Sequence, residues 1–352
     1  FRTTNMAEAD FHYALLGDIG GTNCRLELSK IVKGAAKPEV IKNVYYRTND
    51  HPGGLDEVLE IFLEEFKNTP KYPVIGVVAV ACPVTDNVAA KFANSIWPQI
   101  DGNATGKKFG LTSLTLLNDF AAVGHALVKL GETEVVVVNK GRSEPLGIKA
   151  VVGPGTGLGV AFVGQTLDAK GGVTCTVYPT EGGHSQFAYA DQEEVEWGKY
   201  FLEKNPKWTY FHTEQAFCGP SIPHMYDFLA KKYGEGVTEC TKMEGKEIFK
   251  HAREGSDPIA RRTLDMFLKI YGEYISNMAI SLMPLGGIFL TGGLTVSLQD
   301  EILKQDGPFL KGFFNKDFLN ANLKLMPLVI VQIVELGLLG CFALAGRLLF
   351  PQ

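Results

Sequence analysis

Apolar residues fall at two spacings along this chain, and the spacing changes from segment to segment. Residues 13–17 form a short apolar run, and 25–31 alternate, with Leu26 and Leu28 set against Glu27 and Ser29. Such alternation predicts a half-exposed strand. A third strand is expected over 40–46. Over 54–67 the apolar positions Leu55, Val58, Leu59, Ile61, Phe62 and Phe66 have helical spacing. Residues 73–81 are apolar throughout, as in a strand covered on both faces of a sheet. A strand over 114–117 runs into Asn118-Asp119-Phe120, with a helix expected over 121–130.

The pattern then restarts. Strands are expected over 134–139, 149–152, 159–163 and 173–178, and helices over 191–202, 221–232, 245–253 and 258–283. Late apolar strands follow over 287–291 and 328–333, then an apolar helix from about residue 338. The stretch 325–350 holds Pro327, Gln332, Glu335 and Arg347. It reads as strand, turn and buried helix, not as a membrane span. No short repeat period is present. A coarse one is: strand, glycine turn, strand, then helices, given twice. This organisation predicts a small α/β domain over 6–129 plus 333–352 and a large one over 130–332. Residues 1–5 precede Met6 and read as the remnant of an expression tag.

Composition narrows the class. The chain has 352 residues, 45% hydrophobic and 21% charged, with a formal net charge of −5. That is ordinary for a soluble globular protein with two cores. The charge argues against nucleic acid or an anionic membrane as partner, since both select basic surfaces. Six cysteines without C-x-x-C spacing read as free thiols in a reducing compartment, so the expected location is cytoplasmic.

The candidate chemistry sits at the turns. The first is Gly17-Asp18-Ile19-Gly20-Gly21-Thr22-Asn23, followed by Cys24-Arg25-Leu26. Its backbone N–H groups and the Thr22 hydroxyl can bind phosphate oxygens, and Asp18 can hold Mg²⁺, often through water. A plain hairpin turn with a capping Asp also fits these residues. The second is Gly153-Pro154-Gly155-Thr156-Gly157-Leu158-Gly159. It lacks the Gly-Lys-Ser/Thr of a Walker A loop and has Leu158 where a dinucleotide fingerprint needs glycine. Four glycines in seven residues are costly in backbone entropy, which favours a ligand role. Asn118-Asp119 ends a strand, where open α/β sheets place ligand-binding residues, although an Asp there can also cap a helix. Thr180-Glu181-Gly182-Gly183-His184 and Thr213-Glu214-Gln215 supply carboxylates and an imidazole suited to sugar hydroxyls. A buried His with a carboxylate neighbour is also a routine structural arrangement. The other histidines, His212 among them, read as structural or exposed.

Taken in order, these motifs resemble the glucokinases of the bacterial type, ATP-dependent hexose kinases of the actin–hexokinase superfamily. The resemblance spans about His12 to Arg347. It rests on 17–26, Ala81-Cys82-Pro83-Val84, Leu117-Asn118-Asp119-Phe120-Ala121-Ala122-Val123, 153–161, Glu181-Gly182-Gly183-His184, Thr291-Gly292-Gly293 and Gly337-Leu338-Leu339-Gly340. It implies an α/β, two-domain actin/hexokinase-like (ribonuclease H-like) fold. In that fold, mixed central sheets are flanked by helices and an active-site cleft lies between the domains. It implies that Asp119 is the base on the sugar 6-hydroxyl, and that Asn94, Asn118, Glu181, His184 and Glu214 hold the other hydroxyls. Gly17 to Asn23 match the first phosphate motif, Gly155, Thr156 and Gly157 the second, and Gly292-Gly293 the adenosine turn. The implied substrates are D-glucose and ATP with Mg²⁺. Similar proteins are often homodimers, an assembly the largely neutral surface allows. Two alternatives stay open: a kinase for another hexose, and a nucleotide- or sugar-dependent switch without turnover. The cysteine-rich zinc segment of the repressor-type sugar kinases is missing.

Overall fold

The computed structural model describes residues 10–91, 96–169, 171–234, 243–333 and 335–351. The chain divides into two compact units. The first takes in the described residues through Gly131, Val177–Pro179 and those from Glu335 onward. The second takes in Glu132–Thr176 and the described residues from Thr180 to 333.

The first unit is built on strands β1 (Phe11–Ile19), β2 (Asn23–Val32), β3 (Glu39–Arg47) and β4 (Ile75–Val80). A small three-stranded sheet of β5 (Val84–Thr85), β6 (Val88–Ala89) and β7 (Ile100–Asp101) follows, then β8 (Ser113–Asn118). The main sheet has the order β3-β2-β1-β4-β8. Its first three strands run antiparallel, and β1, β4 and β8 run parallel. All six residues of β4 are buried, as its unbroken apolar run requires. Helix α1 (Leu55–Leu63) turns Leu55, Val58, Leu59 and Phe62 inward and ends in a 3₁₀ turn over Glu64–Phe66. Helix α2 (Gly102–Lys108), which apolar spacing did not indicate, starts where the Asp101 carboxylate accepts the N–H of Ala104. Helix α3 (Asp119–Ala126) stops four residues earlier than the sequence suggested. The C-terminal helix, Leu336–Leu349, packs on α3.

The second unit carries β9 (Val135–Asn139), β10 (Lys149–Pro154), β11 (Leu158–Leu167), β12 (Val173–Thr180, apart from Val177–Pro179), β13 (Gly287–Leu290) and β14 (Leu328–Val331). The sheet order is β12-β11-β10-β13-β14-β9. The pair β10/β11 is antiparallel, and β10, β13 and β14 are parallel. The coarse repeat is therefore a repeat of topology: a glycine-turn hairpin leading into parallel strands. Helices α4 (Gln192–Lys204), α5 (Thr213–Phe217), α6 (Ser221–Tyr233), α7 (Gly245–Glu254) and α8 (Pro258–Leu282) belong to this unit. Helix α8 opens with the Asp257 carboxylate accepting the N–H groups of Ile259 and Ala260, with Pro258 at its first position. Trp197, Phe217, Phe267, Tyr271 and Phe309 fill the core.

Among the described residues no helix is long and apolar enough to cross a membrane. Cys24, Cys82, Cys175, Cys218 and Cys341 are free thiols, and all but Cys175 are buried.

Candidate active site

In the first unit, strand register sets the geometry. Ile19 pairs with Val80, and Val80 pairs with Asn118, so the ends of β1, β4 and β8 lie in one row. The first glycine turn and the Asn118-Asp119 step therefore emerge from the same edge of the sheet. That edge is the carboxyl end of the parallel strands, where α/β sheets carry their ligands. The turn closes through the Gly20 N–H on the Asn23 carbonyl (2.8 Å). Thr48 braces it, donating its hydroxyl to the Gly21 carbonyl (2.7 Å) and its N–H to the Thr22 carbonyl (3.0 Å). Trp97, fully buried, donates its indole N–H to the Thr48 carbonyl (2.8 Å).

Asn118 caps α3. Its side-chain oxygen accepts the N–H groups of Phe120 (3.0 Å) and Ala121 (3.2 Å). That fixes the amide, with its NH₂ group turned away from the helix. Asp119 is the first residue of α3, and one of its oxygens accepts the Phe120 N–H (2.8 Å). Asp18 lies opposite Arg25 in the hairpin. Burial, and secondly the charge of Asp119, push the Asp18 carboxyl up to about 6; Arg25 opposes the shift and Glu335 adds to it. Two carboxylates thus act on one another at this sheet edge, an arrangement that a cation relieves. Arg25 is itself ion-paired with Glu335.

In the second unit, three segments are tied to the second glycine turn. The turn closes through the Gly155 N–H on the Gly157 carbonyl (2.7 Å). The Gly219 N–H, just beyond α5, reaches the Gly155 carbonyl (2.8 Å). A Glu214 carboxylate oxygen accepts the Leu158 N–H (2.9 Å). On the other side, the Thr291 N–H binds the Val152 carbonyl (2.9 Å), and Gly292, at φ 94°, lies next to the Pro154 carbonyl. Glu214, Gly155 to Gly157 and Gly292 are therefore held in one region of this unit.

The loop over 181–184 is a single 3₁₀ turn, with the His184 N–H on the Glu181 carbonyl (2.9 Å). Thr213 anchors it from α5 by donating both its N–H (3.0 Å) and its hydroxyl (3.1 Å) to the Ser185 carbonyl. Glu181 and His184 are exposed, with His184 Nε2 3.9 Å from the Glu181 carboxylate. His212 was read from sequence as structural or exposed, yet its ring stands 5.0 Å from that of His184. It is 1% exposed, and neither ring nitrogen makes a hydrogen bond of normal geometry, its polar backbone neighbour being Gly183. Burial first, then the neighbouring His184, hold its pKa below the ordinary value, against the pull of Glu214 and the Gly183 backbone. Spacing gave no sign of this contact, because the two histidines are brought together by long-range contacts such as the Ser185–Thr213 clasp and the Tyr210 hydroxyl on the His184 carbonyl. Asn94 lies outside the described residues.

Comparison with known proteins agrees with this architecture. A family model described as Glucokinase matches residues 15–347. A glucokinase from Nostoc sp. is 30% identical over 95% of this chain and 99% of its own length. The solved glucokinase from an Antarctic psychrotroph is 26% identical and superposes with a TM-score of 0.80, covering 95% of this chain and 98% of that one. A ROK family glucokinase from Streptomyces griseus, solved with glucose and AMPPNP, is 16% identical, and its TM-score of 0.57 over 94% of this chain and 98% of that one reports a shared fold. The fold is thus the two-domain actin/hexokinase-like α/β type, and the chain belongs to the glucokinase family of ATP-dependent hexose kinases.

Proposed function

We propose that the protein transfers the γ-phosphoryl group of MgATP to the 6-hydroxyl of D-glucose, with Asp119 as general base. The observation that carries this reading is the row Ile19–Val80–Asn118, since it sets a phosphate-type turn and the Asn118-Asp119 step at one sheet edge.

In this reading the sugar O6 attacks the γ-phosphorus. A new O–P bond forms, the bond to the β–γ bridging oxygen breaks, and ADP leaves. The O6 proton passes to the Asp119 carboxylate late in the step, so the main work of Asp119 is to orient the hydroxyl. The Asn118 amide, fixed by its cap, donates to a neighbouring hydroxyl. Glu181, His184 and Glu214 are the sugar ligands of the second unit. Backbone N–H groups of Gly21 to Asn23 and of Thr156 and Gly157 receive phosphate oxygens, the Gly20 and Gly155 N–H groups closing their own turns, and Gly292-Gly293 form the adenosine turn. Asp18 would hold Mg²⁺, because a buried carboxylate beside a second one favours a cation. When bound, Mg²⁺ neutralises charge on the phosphates. The Streptomyces griseus relative, holding glucose and AMPPNP, supports the pairing of sugar and nucleotide.

The test is a coupled assay with ATP, Mg²⁺ and glucose, run beside other hexoses followed by ADP release. Turnover on glucose well above that on other hexoses is expected. Preferred turnover on another hexose would correct the substrate. Absence of sugar-dependent ADP release from folded protein would overturn the reading in favour of a nucleotide-dependent switch.

A further inference from the structure

We propose that His184, His212 and Glu214 form a binding site for a zinc-type divalent cation, and that the cation competes there with the sugar. One ligand atom from each residue lies within 4.8 Å of the other two. A tetrahedral zinc ion with nitrogen and oxygen ligands at about 2.0–2.2 Å sets those atoms about 3.5 Å apart. Closing that gap takes a movement of about 1 Å, and His184 is half exposed and can supply it.

The three residues differ in what they already do. Glu214 gives one oxygen to the Leu158 N–H, which orients the carboxylate. This is the outer support that a metal ligand ordinarily needs. His212 is the independent observation. A buried imidazole without a well-formed hydrogen bond on either nitrogen costs free energy. The sugar reading uses His184 and Glu214 and gives His212 no task. A cation held by all three satisfies one His212 nitrogen directly. Two imidazoles and one carboxylate with an open fourth position form a donor set suited to Zn²⁺. Mg²⁺ and Ca²⁺ prefer oxygen donors throughout, so the ion that serves the phosphates is a poor occupant here.

The metal site stands without the proposed function, but competition with sugar rests on the assignment of His184 and Glu214 as sugar ligands. Titration calorimetry of the nucleotide-free protein with Zn²⁺ separates the two. Wild type should bind one Zn²⁺, and His212→Asn should weaken binding by at least about 100-fold, beyond the usual loss for an outer partner. The cysteines are unchanged in that variant, so equal binding by wild type and His212→Asn would overturn the site. Co²⁺ added to wild type offers a check that does not depend on a variant. The intense visible bands of a tetrahedral ion are expected, and a weak octahedral spectrum would overturn the site. Saturating glucose should displace the ion. Binding that depends on His212 but ignores glucose would keep the metal site and overturn the sugar assignment.

Discussion

Gly157 lies directly beneath the carboxylate of Glu214. A Cβ on Gly157 would stand 2.5 Å from Glu214 Oε2, the same oxygen that accepts the Leu158 N–H. The second glycine turn and a proposed sugar ligand are therefore fitted to each other, and the missing side chain at Gly157 makes room for the carboxylate. Gly157→Ala should push Glu214 out of place. Losing a charged hydrogen bond costs about 1.5–3 kcal/mol, so the glucose KM should rise about 10- to 100-fold. Steady-state kinetics beside Glu214→Gln checks this. A normal glucose KM in Gly157→Ala would show that Glu214 does not bind sugar from this position.

Asp119→Asn keeps the shape of the side chain and removes its basicity. If Asp119 takes the O6 proton, kcat should fall by about 10²- to 10⁴-fold while glucose binding changes little. Glucose-induced thermal stabilisation reports binding without turnover. Near-normal kcat in this variant would remove Asp119 from the mechanism.

Asp18 carries a stability cost with a defined pH window. Its carboxyl titrates near 6 in the folded chain against 3.8 ordinarily. Between those values the folded state binds more protons than the unfolded state, so stability falls as pH rises from about 4 to 6. The full difference is about 3 kcal/mol. Asp18→Asn should be no more stable than wild type near pH 4 and about 3 kcal/mol more stable near pH 8 in the metal-free protein. Denaturation at both pH values tests this, and a difference independent of pH would contradict it. The variant should also need far more Mg²⁺ for turnover, if Asp18 holds that ion.

The C-terminal helix approaches α3 at Gly340, where a Cβ would stand 1.7 Å from the Ala122 carbonyl oxygen. Both contacting parts are backbone, so neither can rotate aside. Overpacking ordinarily costs about 1–3 kcal/mol, and Gly340→Ala should cost at least about 3 kcal/mol. Thermal unfolding of the variant measures it. A loss below about 1 kcal/mol would mean the helix shifts freely along α3.

Much of the architecture was legible in the chain because it is a local matter. The unbroken apolar run of β4 marked a strand covered on both faces, and the helix expected over 258–283 is α8. Short elements escaped. Helix α2 holds few apolar residues, and the five-residue helix α5 is too short for a period to show. The end of α3 at Ala126 was also missed, since helix ends depend on caps more than on periodicity.

The sequence by itself determined the two glycine turns, the strands that flank them and the identity of the polar residues beside them. These follow from backbone freedom at glycine and from alternation along one strand. Only the tertiary structure decided what stands next to what. Strand register aligned Ile19, Val80 and Asn118, and the Gly155–Gly219 hydrogen bond drew α5 to the second turn. It also put His212 against His184, 28 positions away along the chain. Such neighbours are fixed by pairing and packing across the whole unit, and no periodicity within a single segment encodes them.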